Sequence, residues 1–441
     1  MKKKWYVAAV AACLVLALVL GSVLWPGGGM AASAYAIRMT EYPEMVQYPY
    51  LGDKTNASDA QYDKWRNGVN RQRRDGYESQ LQDYLMAAIP VLMAGEGDNR
   101  AVSPLNIYIA LAMLAECSDG QTRQQILDLL GTPDLETLRG TVDDLWNDHY
   151  RADGLVTSLL AGSVWLDKDE VYDSAILDTL AQQYHASSFQ GQMGDADYNE
   201  ALQAWLNDQT GGLLEEQIGQ IETQPEDVLV LAATVYFKAP WRSKFNPSRN
   251  TQEIFHSPSG DVTAEFMHSS STGNYYWGDQ FGAVFRSLEG GGHMMLLLPD
   301  EGYTPEQLLQ DPATLEFMLG ISGRENSKHL IVNLSMPKFD VESKMQLVDA
   351  LQSLGVTDVF DPALSDMPVV KGPAWVTNAI HGARVIADEE GVEAAAYTVI
   401  MTTGGTMPPT EEVDFVLDRP FIFMIQTSEG LPLFLGIVNQ P

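Results

Sequence analysis

The alternation of apolar and polar positions divides the chain into a helical first third and a strand-rich remainder. Regular periodicity begins near Glu78, where Leu81, Leu85, Ala88, Ile89 and Leu92 recur at helical spacing. Ser103 before Pro104 reads as an N-cap followed by a first helical position. The run from Leu105 to Leu114 is apolar on nearly every face, which predicts a buried helix. Further helices are expected at 121–130, 198–209, 305–319 and 344–354. Strand patterns fill 155–166, 228–238, 294–298, 329–336, 375–387 and the tail 421–438. Helices followed by strands, without repeated βαβ units, predict the α+β class.

The first residues read differently. Lys2, Lys3 and Lys4 precede an apolar run from Trp5 to Trp25, closed by Pro26-Gly27-Gly28-Gly29, which is the pattern of an export signal over 1–29. The run is long enough to stay as a membrane anchor, while Ala32-Ser33-Ala34 offers a small-residue cleavage site. Val10-Ala11-Ala12-Cys13 also resembles a lipoprotein box, but a cut there would remove only half of the apolar run. All these readings expect an extracellular or cell-surface protein, secreted or anchored. Residues 30–77 are polar, Tyr-rich and irregular, with Arg66, Arg71, Arg73 and Arg74 close together, and read as a linker ahead of one domain over 78–441.

A formal charge of −32 argues against nucleic acid and against anionic headgroups as partners. Cys13 and Cys117 are the only cysteines, so no disulfide is expected within the exported body. Enzyme signatures are missing: the sequence has no G-x-S-x-G, no phosphate loop, no H-E-x-x-H and no C-x-x-C. Gly290-Gly291-Gly292 reads as a hairpin turn, Cys117 as a small core residue, and the pairs Asp143-Asp144, Glu215-Glu216 and Glu389-Glu390 as solvated faces. Neither cofactor nor metal is expected.

One stretch is hard to explain as packing. After the strand pattern to Ile386 come Asp388-Glu389-Glu390-Gly391, then Val392 to Met401, then loop-type residues with Gly404-Gly405 and Pro408-Pro409. At period two, Val392, Ala394, Ala396 and Thr398 share one face, all small or β-branched. Glu393, Ala395, Tyr397 and Val399 share the other. No proline interrupts Gly391 to Met407, so the segment can join a ladder and, at ~3.3 Å per residue, traverse roughly 55 Å of sheet. Flanked by loop residues, a segment able to be a central strand looks made to change state.

From Glu78 to Pro441 the sequence resembles the serpin family, through motifs in the family's order. They are Asn99-Arg100-Ala101-Val102-Ser103-Pro104-Leu105-Asn106-Ile107, Val235-Tyr236-Phe237-Lys238-Ala239-Pro240-Trp241, Met336-Pro337-Lys338-Phe339, the segment Glu389 to Thr398, Asp418-Arg419-Pro420-Phe421, and Leu433-Phe434-Leu435-Gly436-Ile437-Val438. The resemblance implies three sheets with about eight or nine helices around them and an exposed reactive-centre loop between Ala387 and Val413. It implies a loop hinge over Glu390, Gly391, Val392, Glu393, Ala394, Ala395, Ala396, Tyr397 and Thr398. Under the sheet it implies a polar cluster at Ser103, Asn106, Ala233 and His381, with Trp241 beneath the sheet's top. Asn106 and Ala233 depart from the family's usual Ser and Asn, and the Asn106 amide is a candidate substitute for the missing one.

Thr403, Gly405, Thr406 and Met407 are scissile-bond candidates, since counting from either end of the loop gives different bonds. No Lys or Arg lies between Arg384 and Arg419, which disfavours trypsin-like targets. The function implied is a monomeric suicide inhibitor that inserts its cut loop as a strand, an example of strand addition and released strain. Elastase-like or subtilisin-like serine proteases are the expected targets, cysteine proteases a second class. The alternative is a non-inhibitory serpin that binds or stores. The small inward hinge residues favour inhibition.

Overall fold

The computed structural model describes residues 29–49, 59–74, 76–392, 409–427 and 430–441. Residues 1–28 of the export segment therefore lie outside the described residues, as do the loop positions 393–408. No helix among the described residues is long and apolar enough to cross a membrane.

The buried helix forms where its pattern places it. Ser103 accepts the Asn106 N–H at 3.3 Å, Pro104 occupies the first turn, and every residue of α1 (Pro104–Cys117) except Ala110 is buried. It packs against β2 (Leu229–Pro240), which pairs antiparallel with β1 (Thr157–Asp167) in an eight-stranded sheet. On the far side lie β3 (Phe339–Gln346) and β4 (Ile380–Ala387), antiparallel to each other. A two-residue strand, β5 (Gly391–Val392), sits between β2 and β4. Inward-facing side chains of this sheet and of α1 belong to one continuous core that runs through the second sheet.

The second sheet has nine strands. Its strand Gly260–Trp277 is 18 residues long and pairs with Thr251–Ser257 at one end and Phe281–Ser287 at the other. Ser327–Pro337 runs beside its residues Phe266 to Tyr276. The family's second and third sheets are thus joined by hydrogen bonds into one path. The three-glycine turn links Phe281–Ser287 to His293–Pro299, with Gly290 and Gly291 at φ 86° and 100°, a region open mainly to glycine. Cys117 is buried, and burial raises its thiol pKa well above the ordinary value.

Several expectations need correction. The helix expected over 344–354 is only Val348–Ser353, because Lys344 to Gln346 finish β3. The 305–319 helix is two, broken where Asp311 caps a new start at Pro312. The strand expected from Trp375 begins at Ile380. The stretch read as a linker is largely docked. Ala36–Arg38 adds an edge strand to the eight-stranded sheet by pairing with Ala186–Gly191. Asp59–Gln72 is a helix, and Trp65 donates its indole N–H to Asp153 at 2.8 Å. Isolated aromatic anchors, not a periodic stripe, hold this segment.

Candidate functional site

Between β2 and β4 the first sheet is split. Among the described residues, only Gly391 and Val392 bridge the two strands, with Val392 opposite Ala239 on one side and Ala387 on the other. All three side chains point into the core, 3%, 0% and 1% exposed. Val392 thus lies on the inward face that period two assigns it. Below this pair, no strand among the described residues lies between Leu229–Lys238 and Ile380–Ile386. A narrow slot opens there, with room for about 20 Å³, lined by Val235, Tyr236 and Phe237 on one side and Gly382, Ala383 and Arg384 on the other.

The turn feeding β5 is tightly fixed. Trp241, 1% exposed, donates its indole N–H to the Asp388 carbonyl at 2.7 Å and its backbone N–H to the Glu390 carbonyl at 2.9 Å. The Asp388 carboxylate accepts the N–H groups of Glu390 (2.8 Å) and Gly391 (3.2 Å). Glu389 pairs with Lys338 at 2.7 Å and Glu390 with Lys244 at 2.5 Å, so these acids are tied into the sheet's top and do not form a solvated face. Burial alone would raise the Glu389 carboxyl, but hydrogen bonds from Lys338, its own backbone and Asn250 outweigh it and hold the pKa down. Arg286 lies 3.7 Å over Phe245 and 5.2 Å over Trp241 and donates to Ser269 at 3.0 Å. Burial lowers its pKa to about 10. Gly391 is required by space: a Cβ there would stand 2.4 Å from the Ala239 carbonyl oxygen.

Deeper in the slot, His381 accepts the Ser103 N–H on Nε2 at 3.0 Å, which joins β4 to the start of α1. Ser103, Asn106 and His381 come together through that bond and the helix cap. Ala233 is half-buried on β2, paired with Gly162. Asn106 takes part through its backbone N–H, and no side-chain hydrogen bond joins its amide to β2 among the described residues. The proposed amide substitution is thus not made in this state. Of the loop residues, Glu390, Gly391 and Val392 are placed. Glu393 to Thr398 and all four scissile candidates lie outside the described residues. Sequence reasoning did not single out Lys244, Asn250 and Arg286; the Lys338 signal was present in the Met336–Phe339 motif.

His381 is buried, and burial lowers its pKa from 6.5 to about 4. A protonated ring would turn Nε2 into a donor facing the Ser103 donor. The unfolded chain therefore binds the proton more readily, and stability falls with falling pH. The contribution, roughly 3 kcal/mol, is complete above 6.5 and lost as pH drops toward 4. His381→Gln, an uncharged acceptor, is expected to lose clearly less stability than the parent between about pH 7 and about pH 4.5 in denaturant titrations. Parallel losses would show that His381 is not the responsible group.

The far end of the loop is also anchored. Glu412–Val416 pairs in parallel with Ser327–Pro337, from Ile331↔Glu412 to Ser335↔Val416. The first sheet is thus split with one end of the connecting segment seated in the gap, and the other end is held in the second sheet. The profile described as "Serpin (serine protease inhibitor)" matches residues 89–441, and the chain belongs to that family. Human leukocyte elastase inhibitor is 27% identical over 355 residues, covering 78% of this chain and 93% of its own. The thermophilic serpin tengpin in its native state superposes with a TM-score of 0.73 at 24% identity, covering 84% and 96% of the two chains. Human thyroxine-binding globulin complexed with thyroxine superposes at 0.70 and 20% identity over 83% and 100%. The family commonly inhibits proteases, yet includes such carriers.

Proposed function

We propose that this serpin is an inhibitor that traps proteases by inserting its cut loop between β2 and β4. The observation carrying this reading is the seated pair Gly391–Val392 above an open slot. Continued in the same register, Ala394 would face Phe237 and Val385, Ala396 would face Val235 and Ala383, and Thr398 would face Ala233 and His381. Each inward position receives a small or β-branched side chain, and the slot's walls supply the ladder partners. Tyr397 would emerge on the outer face beside Gly382, where a ring meets no neighbouring Cβ on β4.

Anchorage of Glu412–Val416 holds this back in the intact chain, where it can complete only if that strand leaves the second sheet, because every residue entering the slot draws on the length that must return there. A cut at Thr403, Gly405, Thr406 or Met407 removes that constraint. The attacking protease, esterified to the new C-terminal end, would be carried with the strand.

The uncharged segment Val399 to Met407 fits a small or apolar primary pocket, so an elastase-like or subtilisin-like serine protease is the expected target. Mixing the protein with a panel of such enzymes is expected to give a complex that survives denaturing electrophoresis. Clean cleavage with full recovery of protease activity across the panel would favour the carrier or storage reading. Lys2 to Lys4 ahead of the apolar run Trp5 to Trp25 support a site of action outside the cytoplasm, on a chain secreted or tethered to a membrane.

A further inference from the structure

We propose that the N-terminal segment 30–49 is an intramolecular clamp that slows loop insertion by fastening the helix Ala196–Gln209 over the first sheet. The clamp rests on the insertion reading above, but its structural basis is separate.

Three contacts make the connection. First, Ala36–Arg38 extends the sheet at its edge, with Ala36 opposite Phe189 and Arg38 opposite Ser188. The Tyr35 carbonyl accepts the Gln190 N–H at 2.8 Å, and Thr40 N–H donates to Ser187 at 3.2 Å. Second, the turn before it packs on the helix Ala196–Gln209: Ala32 is buried, and the Tyr35 ring meets Tyr198 edge-on at 4.9 Å. Tyr198 is the bolt between helix and sheet, because its hydroxyl lies 3.1 Å from the Leu166 N–H and carbonyl and 3.2 Å from the Phe189 carbonyl. Third, Arg38 pairs with Asp178 at 2.6 Å, and Tyr42 stacks on Trp146 and Tyr150 at 5.9 and 5.4 Å.

The helix so fastened runs directly into the cover of the slot. Thr210, Leu213 and Leu214 line the slot's outer side, and the Leu213 carbonyl accepts from Arg384 of β4 at 3.0 Å. Tyr236 of β2 packs so closely on Gly211 that a Cβ there would stand 2.8 Å from its ring. A strand entering the slot must lift this cover, and lifting it requires the helix behind it to shift. A segment that pairs with the sheet edge and also covers Tyr198 resists that shift. It forms native contacts that a sheet opening for a new strand must loosen, so it slows opening more than it alters the final state.

The test uses the full chain. Tyr35→Ala and Arg38→Ala each weaken the clamp, the second at a half-exposed pair that keeps the test readable should the first fail to fold. Ile37→Ser, on the exposed side of the same strand, is the control. On mild warming of uncut protein, the clamp variants are expected to convert to a loop-protected, higher-melting form about tenfold faster than the parent, with faster hydrogen exchange over 196–214. The control should match the parent. Clamp variants with faster exchange over 30–49 but unchanged conversion would overturn the clamp and leave the inhibitor reading intact. A parent whose cut form gains no thermal stability would mean that no strand is inserted, and both readings would fall.

Discussion

Cutting the chain between Thr403 and Met407 should raise its thermal unfolding midpoint by at least about 10 °C, with no ligand added. For a chain of this size a shift of that order corresponds to several kcal/mol, beyond what loss of one loop constraint delivers. The source is the slot. The facing backbone groups of Leu229–Lys238 and Ile380–Ile386 gain a central strand, and the small inward residues fill the space over α1. Such a gain means that the intact fold is kinetically held rather than the most stable arrangement of the chain. Calorimetry of cut and uncut protein measures it directly. Identical midpoints would show that the slot stays unfilled.

The second large effect concerns one methyl group. Val392 is observed on the inward face, and two residues on, Ala394 shares it by strand parity. Ala394→Arg would place an unpaired guanidinium between Phe237 and Val385, a cost of roughly 3–5 kcal/mol by comparison with other unpaired buried charges. Insertion should then lose its race with hydrolysis of the acyl link, so that the variant is cut and active protease returns. Ala395→Arg, facing outward, should inhibit nearly as the parent does. Titrating protease activity against each variant separates the cases, and equal inhibition by both would contradict the face assignment.

The parts of this site that were readable in the sequence are those governed by local rules. Ser103 and Pro104 announce a helix start through cap chemistry that needs only neighbouring residues. The period-two face of the loop placed Val392 inward for the same reason. Where pairing across the fold decides, the pattern misled. Lys344, Met345 and Gln346 have good helix propensity and lead into a true helix, yet their pairing with Gly382, His381 and Ile380 holds them in a strand. Glu389 and Glu390 look solvated until Lys338 and Lys244, far off in the chain, arrive beside them. The docked N-terminal segment carries no periodicity, since Tyr35, Tyr42 and Trp65 each meet a different element.

The seated pair Gly391–Val392 also bears on timing. Ordered growth is slow to start and quick to continue, because the first pairing fixes several torsions for little return while each later one adds its own bonds. Here that first pairing is already made, held by the indole of Trp241 and the two lysines. On the inhibitor reading, a freed loop need not search for its place. It only has to propagate downward, residue by residue, as fast as the two halves of the sheet can part. If the chain inhibits as proposed, the interval a captured protease has for escape is then set by the mechanics of the sheet.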